Sequence, residues 1–161
     1  MTVPASAVDT VVATLAAGYH QHDPHFELSS VRPIGGFVGR FGHLPEPVTL
    51  RSFVSRTNEV LGVESRVAGD EESLIVSAAV VPGSGGDFIG AARGAGVDVL
   101  VTGDVSHHRA QDALQRGLAV VDAGHAATER PGVARLYSLV SQMFEKVTDL
   151  THIDASPWGN G

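Results

Sequence analysis

Residues 74–81, with the sequence Leu-Ile-Val-Ser-Ala-Ala-Val-Val, are the stretch that decides the fold. A continuous apolar run of this length, rich in β-branched residues, is typical of a strand buried within a parallel sheet. Two shorter runs of the same kind follow at residues 97–101 and 118–121. Helical patterns at residues 87–95 and 106–116 separate the three runs. Strands that alternate with helices over short loops predict an α/β fold, with a mostly parallel sheet flanked by helices.

Two further helices are expected around this unit. Residues 50–61 have helical periodicity, with Thr49 as a candidate N-cap and Gly62 just past the end. Residues 133–147 predict the longest helix of the chain, with Pro131 in its first turn, and residues 148–153 a final edge strand.

The first 48 residues do not continue the alternation of buried strands and helices that marks the rest of the chain. Residues 8–15 predict an amphipathic helix and residues 26–31 a short strand, whereas residues 33–47 are rich in glycine and proline. That last stretch is either a linker or a glycine-rich loop with short extended pieces. We therefore predict a small N-terminal α+β appendage over residues 1–48 and a C-terminal α/β domain over residues 49–161.

Composition excludes several classes of function. The 161-residue chain carries a formal net charge of −7, so partners that are held by phosphate charge, such as nucleic acids or anionic membranes, are not expected. It has no cysteine, which excludes disulfides, iron–sulfur clusters and cysteine-based zinc sites. No apolar run is long enough to cross a membrane, and residues 1–4 do not begin a signal peptide. A cytoplasmic location is expected.

Polar and glycine-rich segments follow all three predicted strands, at the carboxyl ends where open α/β sheets bind ligands. Residues 82–86 follow the first strand, residues 102–108 the second and residues 122–131 the third. If the strands are parallel neighbours, the three loops converge on one rim of the sheet. This convergence predicts the location of a functional site.

Gly83, Ser84 and Gly85 form the first of these loops. Their backbone N–H groups are candidates for binding an anion ahead of a helix. The alternative is a tight turn between strand and helix that needs positive φ. A nucleotide-binding role is the weaker hypothesis, because neither a Walker A motif nor a complete dinucleotide fingerprint is present.

His125 and Glu129 lie in the third loop and are the candidate metal ligands. An imidazole nitrogen and a carboxylate, four residues apart, are chemically suited to a divalent ion. The alternative is a hydrogen-bonded or solvent-facing pair. A catalytic zinc typically has three protein ligands, so this pair by itself is an incomplete site.

Other polar residues have open interpretations. Asp104 is a candidate catalytic residue or a helix cap. At most one of the adjacent His107 and His108 is expected to face the rim, and His108 is kept as the second catalytic candidate. Asp122 is expected to orient His125 from outside the ligand set. The histidines near residues 20–25 suggest a metal tract, but a solvated loop is favoured.

Several of these segments resemble the Nif-three-like dinuclear metal-centre family, also known as type-two GTP cyclohydrolase I homologues. They are Thr102-Gly103-Asp104 with His108, the stretch Asp122-Ala123-Gly124-His125 with Thr128-Glu129, and the Gly-Arg-Phe-Gly-His-Leu-Pro-Glu-Pro sequence of residues 39–47. The resemblance extends from about residue 3 to residue 158. It implies that residues 1–48 are the end of the family's inserted domain with a linker.

The resemblance also implies a two-metal site and assembly as a hexamer. His125 and Glu129 match two of the five protein ligands of the family, and the remaining His-His pair and Asp belong to an N-terminal half that these 161 residues do not contain. Two motifs depart from the family pattern. Val81-Pro82 replaces a Cys-Gly pair, and residues 20–24 are a degraded form of a His-Pro-Tyr-Glu-Glu-Pro stretch.

Two functions follow as hypotheses. The first is a metal-binding protein like the C-terminal half of a hydrolase-like GTP cyclohydrolase homologue. It would bind zinc, iron or manganese weakly, and would be active only with a separate N-terminal half or within a homo-oligomer. The second is a non-catalytic binding or regulatory module that has lost the metal centre.

Overall fold

The computed structural model of the chain describes residues 32–34 and 38–153. This part of the chain forms a six-stranded sheet whose strands are β1 (Arg32–Ile34), β2 (Gly39–Thr49), β3 (Arg66–Ala68), β4 (Leu74–Ser84), β5 (Val99–Gly103) and β6 (Ala119–Asp122). Their order across the sheet is β1-β2-β4-β5-β6-β3. The helix predicted at residues 8–15 and the strand predicted at residues 26–31 lie outside the described residues.

The three central strands are the parallel part of the sheet. β4 pairs in parallel with β5, and β5 pairs in parallel with β6. β1, β2 and β3 join antiparallel at the two sides. All five residues of β5 are buried, as expected for a central strand covered on both faces. The α/β fold is confirmed, with antiparallel strands added to a parallel centre.

Four α-helices accompany the sheet in the described residues: α1 (Leu50–Leu61), α2 (Ile89–Gly94), α3 (His107–Gln115) and α4 (His125–Ser141). The predicted ends of α1 are confirmed. Thr49 Oγ1 accepts a hydrogen bond from the Ser52 amide at 3.2 Å, and Gly62 ends the helix with φ of +66°. None of these helices combines the length and the apolar character that a bilayer span requires.

The core has a part on each face of the sheet, because alternate residues of a strand point to opposite faces. On one face, α2 and α3 pack Ile89 and Ala113 near Leu100. On the other face, Leu50 of α1 packs near Val99, which is next to Leu100 in β5. The central strands are therefore held between two layers of helices.

The glycine-rich stretch between residues 33 and 47 contains a long strand. Most of it forms β2, which pairs with β4 from Arg40 opposite Val80 to His43 opposite Ser77. The pairing is then interrupted before Val48, across a segment that contains Pro45 and Pro47. Proline has no amide hydrogen to donate, so it belongs at such an irregularity. β2 also crosses the predicted boundary at residue 48, although the division into two domains stays a prediction.

The C-terminal elements differ from the prediction. α4 begins at His125, so Pro131 lies inside the helix rather than in its first turn. The edge strand predicted at residues 148–153 is wrong. Asp149 Oδ1 instead accepts hydrogen bonds from the amide and the hydroxyl of Thr151, at 2.9 and 2.6 Å. A side chain that bonds the backbone two residues further on favours a turn.

Candidate metal centre

The three loops after β4, β5 and β6 meet, as the positions of their strands predict. His125 and Glu129 both lie at the start of α4, four residues apart and hence on one face of the helix. The distance from His125 Nε2 to Glu129 Oε1 is 3.4 Å, and each side chain is half exposed. A nitrogen and a carboxylate oxygen therefore face solvent together at the carboxyl rim of the sheet.

Gly83 at the end of β4 forms the wall beside this pair. A Cβ atom at residue 83 would lie 2.9 Å from Glu129 Oε1 and 3.3 Å from His125 Nε2. Gly83 also has φ of +69°, a conformation that side chains disfavour. Glycine at this position leaves open the space next to both donor atoms.

Asp104, from the loop after β5, contacts the other nitrogen of the ring. Its Oδ2 lies 2.7 Å from His125 Nδ1. Because a carboxylate accepts hydrogen bonds and does not donate them, the neutral ring carries its proton on Nδ1. Nε2, on the side of Glu129, is then left with its lone pair available. The predicted catalytic role of Asp104 stays a prediction, whereas its contact with His125 is a feature of the structure.

The two carboxylates also change the charge behaviour of His125. The hydrogen bond to Asp104 raises the pKa of the imidazole above its ordinary value. Partial loss of hydration opposes this rise, and the charge of Glu129 adds to it. Protons and metal ions therefore compete for the same Nε2 atom.

Asp122 does not bond the His125 ring directly, because Asp104 makes that contact. Asp122 is 9% exposed and accepts hydrogen bonds from the backbone amides of Val105, at 3.1 Å, and Gly124, at 3.2 Å. It also pairs with the Arg66 guanidinium. Both oxygens of this carboxylate are therefore used by backbone amides, and Oδ2 also by Arg66.

Thr128 attaches the start of α4 to the end of β4. Its hydroxyl oxygen accepts a hydrogen bond from the Gly83 amide at 2.9 Å, and its single proton is shared between the Gly124 and His125 carbonyls, at 3.0 and 2.8 Å. Sequence reasoning missed Thr128 as a structural residue, and it missed Arg66 altogether. Thr128 stands between the two candidate ligands, which is a usable signal; nothing in the sequence around Arg66 indicates its partner.

The glycines of the first loop are used for close packing. The Gly83 amide is already bonded to Thr128, and a Cβ atom at Gly85 would lie 2.1 Å from Thr102 Oγ1. These contacts favour the alternative of a tight turn. Anion binding by Gly83, Ser84 and Gly85 stays a prediction, and the Gly83 amide does not support it.

The catalytic role of His108 also stays a prediction. His107 and His108 open α3, and their rings meet edge to face with centroids 5.8 Å apart. Both residues are exposed.

His125 and Glu129 are chemically suitable ligands for a divalent ion, but two ligands are too few to hold one. One imidazole nitrogen and one carboxylate are ligands that zinc, iron and manganese accept. Within residues 32–34 and 38–153, no three His, Asp or Glu side chains are arranged to hold one ion together. Further ligands would have to come from outside this set.

Comparison with known proteins identifies the relatives of the chain. The family model described as Duf34/NIF3 (NGG1p interacting factor 3) matches residues 11–157. A Clostridium acetobutylicum protein named GTP cyclohydrolase 1 type 2 homolog is 43% identical over 97 residues, which are 60% of this chain and 36% of that protein. A Mycobacterium leprae protein of the same name is 30% identical over 169 aligned positions, covering 100% of this chain and 44% of that protein.

Solved structures with the same fold include a Bacillus cereus protein related to NIF3, with a TM-score of 0.66 and 30% identity. That match covers 76% of this chain and 36% of the Bacillus cereus chain. Reduced HcgD from Methanocaldococcus jannaschii matches with a TM-score of 0.61 and 26% identity, over 73% of this chain and 48% of its own. The chain thus spans less than half the length of these relatives. From its match over residues 11–157, the chain belongs to the Duf34/NIF3 family.

Proposed function

We propose that this chain is a metal-binding protein in which His125 Nε2 and the Glu129 carboxylate are two ligands of a divalent ion. The observation that carries the proposal is the Asp104–His125 contact, which leaves Nε2 unprotonated beside Glu129 in the neutral ring. A histidine ligand oriented through its other nitrogen by a carboxylate is the usual arrangement in protein metal sites. Zinc, iron and manganese are the candidate ions.

The activity that we propose is hydrolase-like and of the type that the relatives' name, GTP cyclohydrolase 1 type 2 homolog, suggests. His125 and Glu129 would hold part of such an ion's ligand shell, and the ion would supply Lewis-acid activation of water for attack on a substrate. The chain's own part is to hold His125 and Glu129 in place through Asp104, Gly83 and Thr128. We propose this activity only for a completed site, because the two donors are fewer than a catalytic ion requires.

The missing ligands are proposed to come from a separate N-terminal half or from another copy in a homo-oligomer, for which the family resemblance suggests a hexamer. The chain covers 36% to 48% of the relatives described above, so they contain a large segment that has no counterpart here. A cytoplasmic location belongs to the same proposal. The acidic net charge of −7 supports neither nucleic-acid nor membrane partners.

Calorimetric titration with zinc and with manganese tests the ligand assignment. We expect weak binding to the chain alone, and its loss in both His125→Ala and Glu129→Gln. His152→Ala, an exposed histidine in a turn, is the matched control for adventitious binding by imidazoles and should bind like the wild type. Unchanged binding in His125→Ala would refute the assignment. Sub-micromolar binding at two sites per chain would refute the need for ligands from elsewhere.

A non-catalytic binding or regulatory module is the second candidate. It is favoured by the absence, among the described residues, of a three-ligand group. The same titration separates the two candidates when it is repeated with the partner half or the assembled oligomer. Tight metal binding on assembly supports a completed centre, whereas equally weak binding supports the module.

A further inference from the structure

The carboxylate of Asp122 lies beneath both loops that carry the candidate site. Its Oδ2 accepts the amide of Val105, the residue after Asp104, and its Oδ1 accepts the amide of Gly124, the residue before His125. One buried side chain therefore connects the neighbours of the two residues whose side chains form the 2.7 Å contact.

The backbone at Asp104 needs such support. Its φ is +55°, in the left-handed region that residues with a side chain seldom adopt. On its N-terminal side, Gly103 packs closely against the third loop. A Cβ atom at residue 103 would lie 2.5 Å from the backbone nitrogen of His125. On its C-terminal side, the Val105 amide is bound by Asp122. The turn is thus fastened at both ends, with the Asp104 carboxylate directed at His125.

Arg66 holds Asp122 from the other side. This residue of the edge strand β3 pairs with Asp122 Oδ2 and also donates to the Val105 carbonyl at 3.3 Å. Asp122 is 8% exposed and Arg66 is 77% exposed in their side chains. The guanidinium therefore compensates a buried charge and bonds the same residue, Val105, that Asp122 bonds.

We propose that Asp122, anchored by Arg66, is the positioning residue of the candidate centre, which sets the Asp104 and His125 loops at the separation their side-chain contact requires. It acts through Asp104 and does not touch the donor atoms Nε2 and Oε1. The metal part of the test rests on the proposed function. The positioning itself is a property of the metal-free chain and is measured there.

Asp98 supplies the matched control for a general loss of stability. Its Oδ2 accepts the amides of Val76 and Ser77 at 2.9 and 2.8 Å, so it too bonds two backbone amides. It lies at the opposite, amino-terminal end of the parallel strands. Asp98→Asn should therefore perturb the sheet without changing the candidate site.

The test records the ¹⁵N spectrum of the His125 ring in the metal-free wild type and in the Asp122→Asn, Asp98→Asn and Asp104→Asn variants. The wild type should show a neutral ring protonated on Nδ1. We expect Asp122→Asn to shift the ring toward a mixture of tautomers, as Asp104→Asn does, and Asp98→Asn to leave it unchanged. A wild-type ring signature in Asp122→Asn would overturn the proposal, and so would an equal shift in Asp98→Asn.

Zinc affinity gives a second readout. Asp122→Asn should weaken zinc binding about tenfold, the scale of losing a group that orients a ligand. The Asp104→Asn/Asp122→Asn double variant should bind no more weakly than Asp104→Asn alone, because Asp122 acts through Asp104. Additive losses would contradict this route. If no variant or wild-type protein binds zinc, the proposed function fails while the ring spectra still decide the positioning.

Arg66 provides a variant that does not depend on replacing a buried residue. Arg66→Ala should shift the His125 ring in the same direction as Asp122→Asn, by a smaller amount, and Arg66→Lys should restore part of the wild-type signature by keeping a positive donor. If Asp122→Asn does not fold, an unchanged ring in Arg66→Ala overturns the proposal.

Discussion

His125 is contacted by carboxylates on both ring nitrogens. Asp104 lies 2.7 Å from Nδ1 and Glu129 lies 3.4 Å from Nε2. The shorter contact decides the tautomer of the neutral ring, which leaves Nε2 without a proton beside the Glu129 carboxylate. The His125 and Glu129 side chains are each half exposed, so solvent reaches the pair, as the proposed ligand role requires.

Replacing Asp104 by Asn should lower the pKa of His125, because the strongest contribution to its rise is the Asp104 hydrogen bond. A raised pKa in the folded state stabilises the fold fully below the ordinary value of 6.5, and this contribution disappears as the pH rises through the folded pKa. The wild type should therefore lose this stabilisation on going from acidic to alkaline pH, and Asp104→Asn should lose less.

NMR titration of His125 and urea unfolding at several pH values measure both effects. Asp112→Asn, which removes the exposed pair between Asp112 of α3 and Arg116 just after it, is the control and should leave the His125 titration unchanged. An unaltered His125 pKa in Asp104→Asn would contradict the prediction.

Gly83→Ala should destabilise the fold, although it adds only one methyl group. The φ of +69° is unfavourable for alanine, and the new Cβ would lie 2.9 Å from Glu129 Oε1. We expect a loss of about 1–2 kcal/mol in the free energy of unfolding, from the left-handed backbone alone, together with weaker metal binding. Gly90→Ala in α2, where a Cβ meets nothing within 4 Å, is the control and should be neutral or stabilising. Equal stability of the two variants would contradict this reading of Gly83.

At the scale of elements, the important connection is between the start of α4 and the end of β4. Thr128 is 8% exposed, and its hydroxyl satisfies the Gly83 amide while bonding carbonyls of its own helix. This connection fixes the position of the first turn of α4 relative to the end of β4. It thereby places His125 and Glu129 at the rim of the sheet.

Thr128→Val, which keeps the shape but removes the hydroxyl, should leave the buried Gly83 amide without a partner. Such a loss costs about 1–3 kcal/mol. Thr128→Ser keeps the hydroxyl and should lose less, so the two variants separate the hydrogen bond from the methyl packing. Thermal unfolding monitored by circular dichroism measures the difference. Equal stability of Val and Ser variants would show that the hydroxyl contributes little.

At the scale of the whole molecule, the second half of α4 is distinctive. Val133, Leu136 and Leu139 are between 44% and 59% exposed. A helix whose apolar residues face water usually has a partner surface, since packing supplies most of a helix's stability. We propose that assembly covers this surface.

Native mass spectrometry should therefore find the chain as a multiple of its own mass, in line with the proposed homo-oligomer. Leu136→Glu should shift the distribution toward the single chain, because it places a charge within the apolar surface. Val60→Glu on α1, a residue 73% exposed, is the matched control and should leave the assembly intact. A wild-type protein that is monomeric at all concentrations tested would contradict the proposal.

Much of the fold and the location of the candidate site could be predicted from the sequence, because both depend on local sequence patterns. Periodicity and capping residues are visible in the sequence itself. They predicted the strand at residues 74–81 and the helix between Thr49 and Gly62, and the sequence also shows the polar residues that follow each strand. The convergence of Asp104 and His125 follows from the same pattern, because parallel strands present their carboxyl ends on one rim. The family also followed from sequence motifs.

Only the tertiary structure decided which residues touch. Asp104, rather than Asp122, bonds the His125 ring because of a left-handed turn at Asp104. That turn is held by a hydrogen bond from the Val105 amide to the carboxylate of Asp122, 17 positions further along the chain. β2 was missed because its glycines and prolines disfavour a strand locally, while pairing with β4 outweighs that preference. The sequence by itself determined the chemistry available at the rim. The tertiary structure decided the arrangement, because long-range hydrogen bonds and packing have no signature in local sequence.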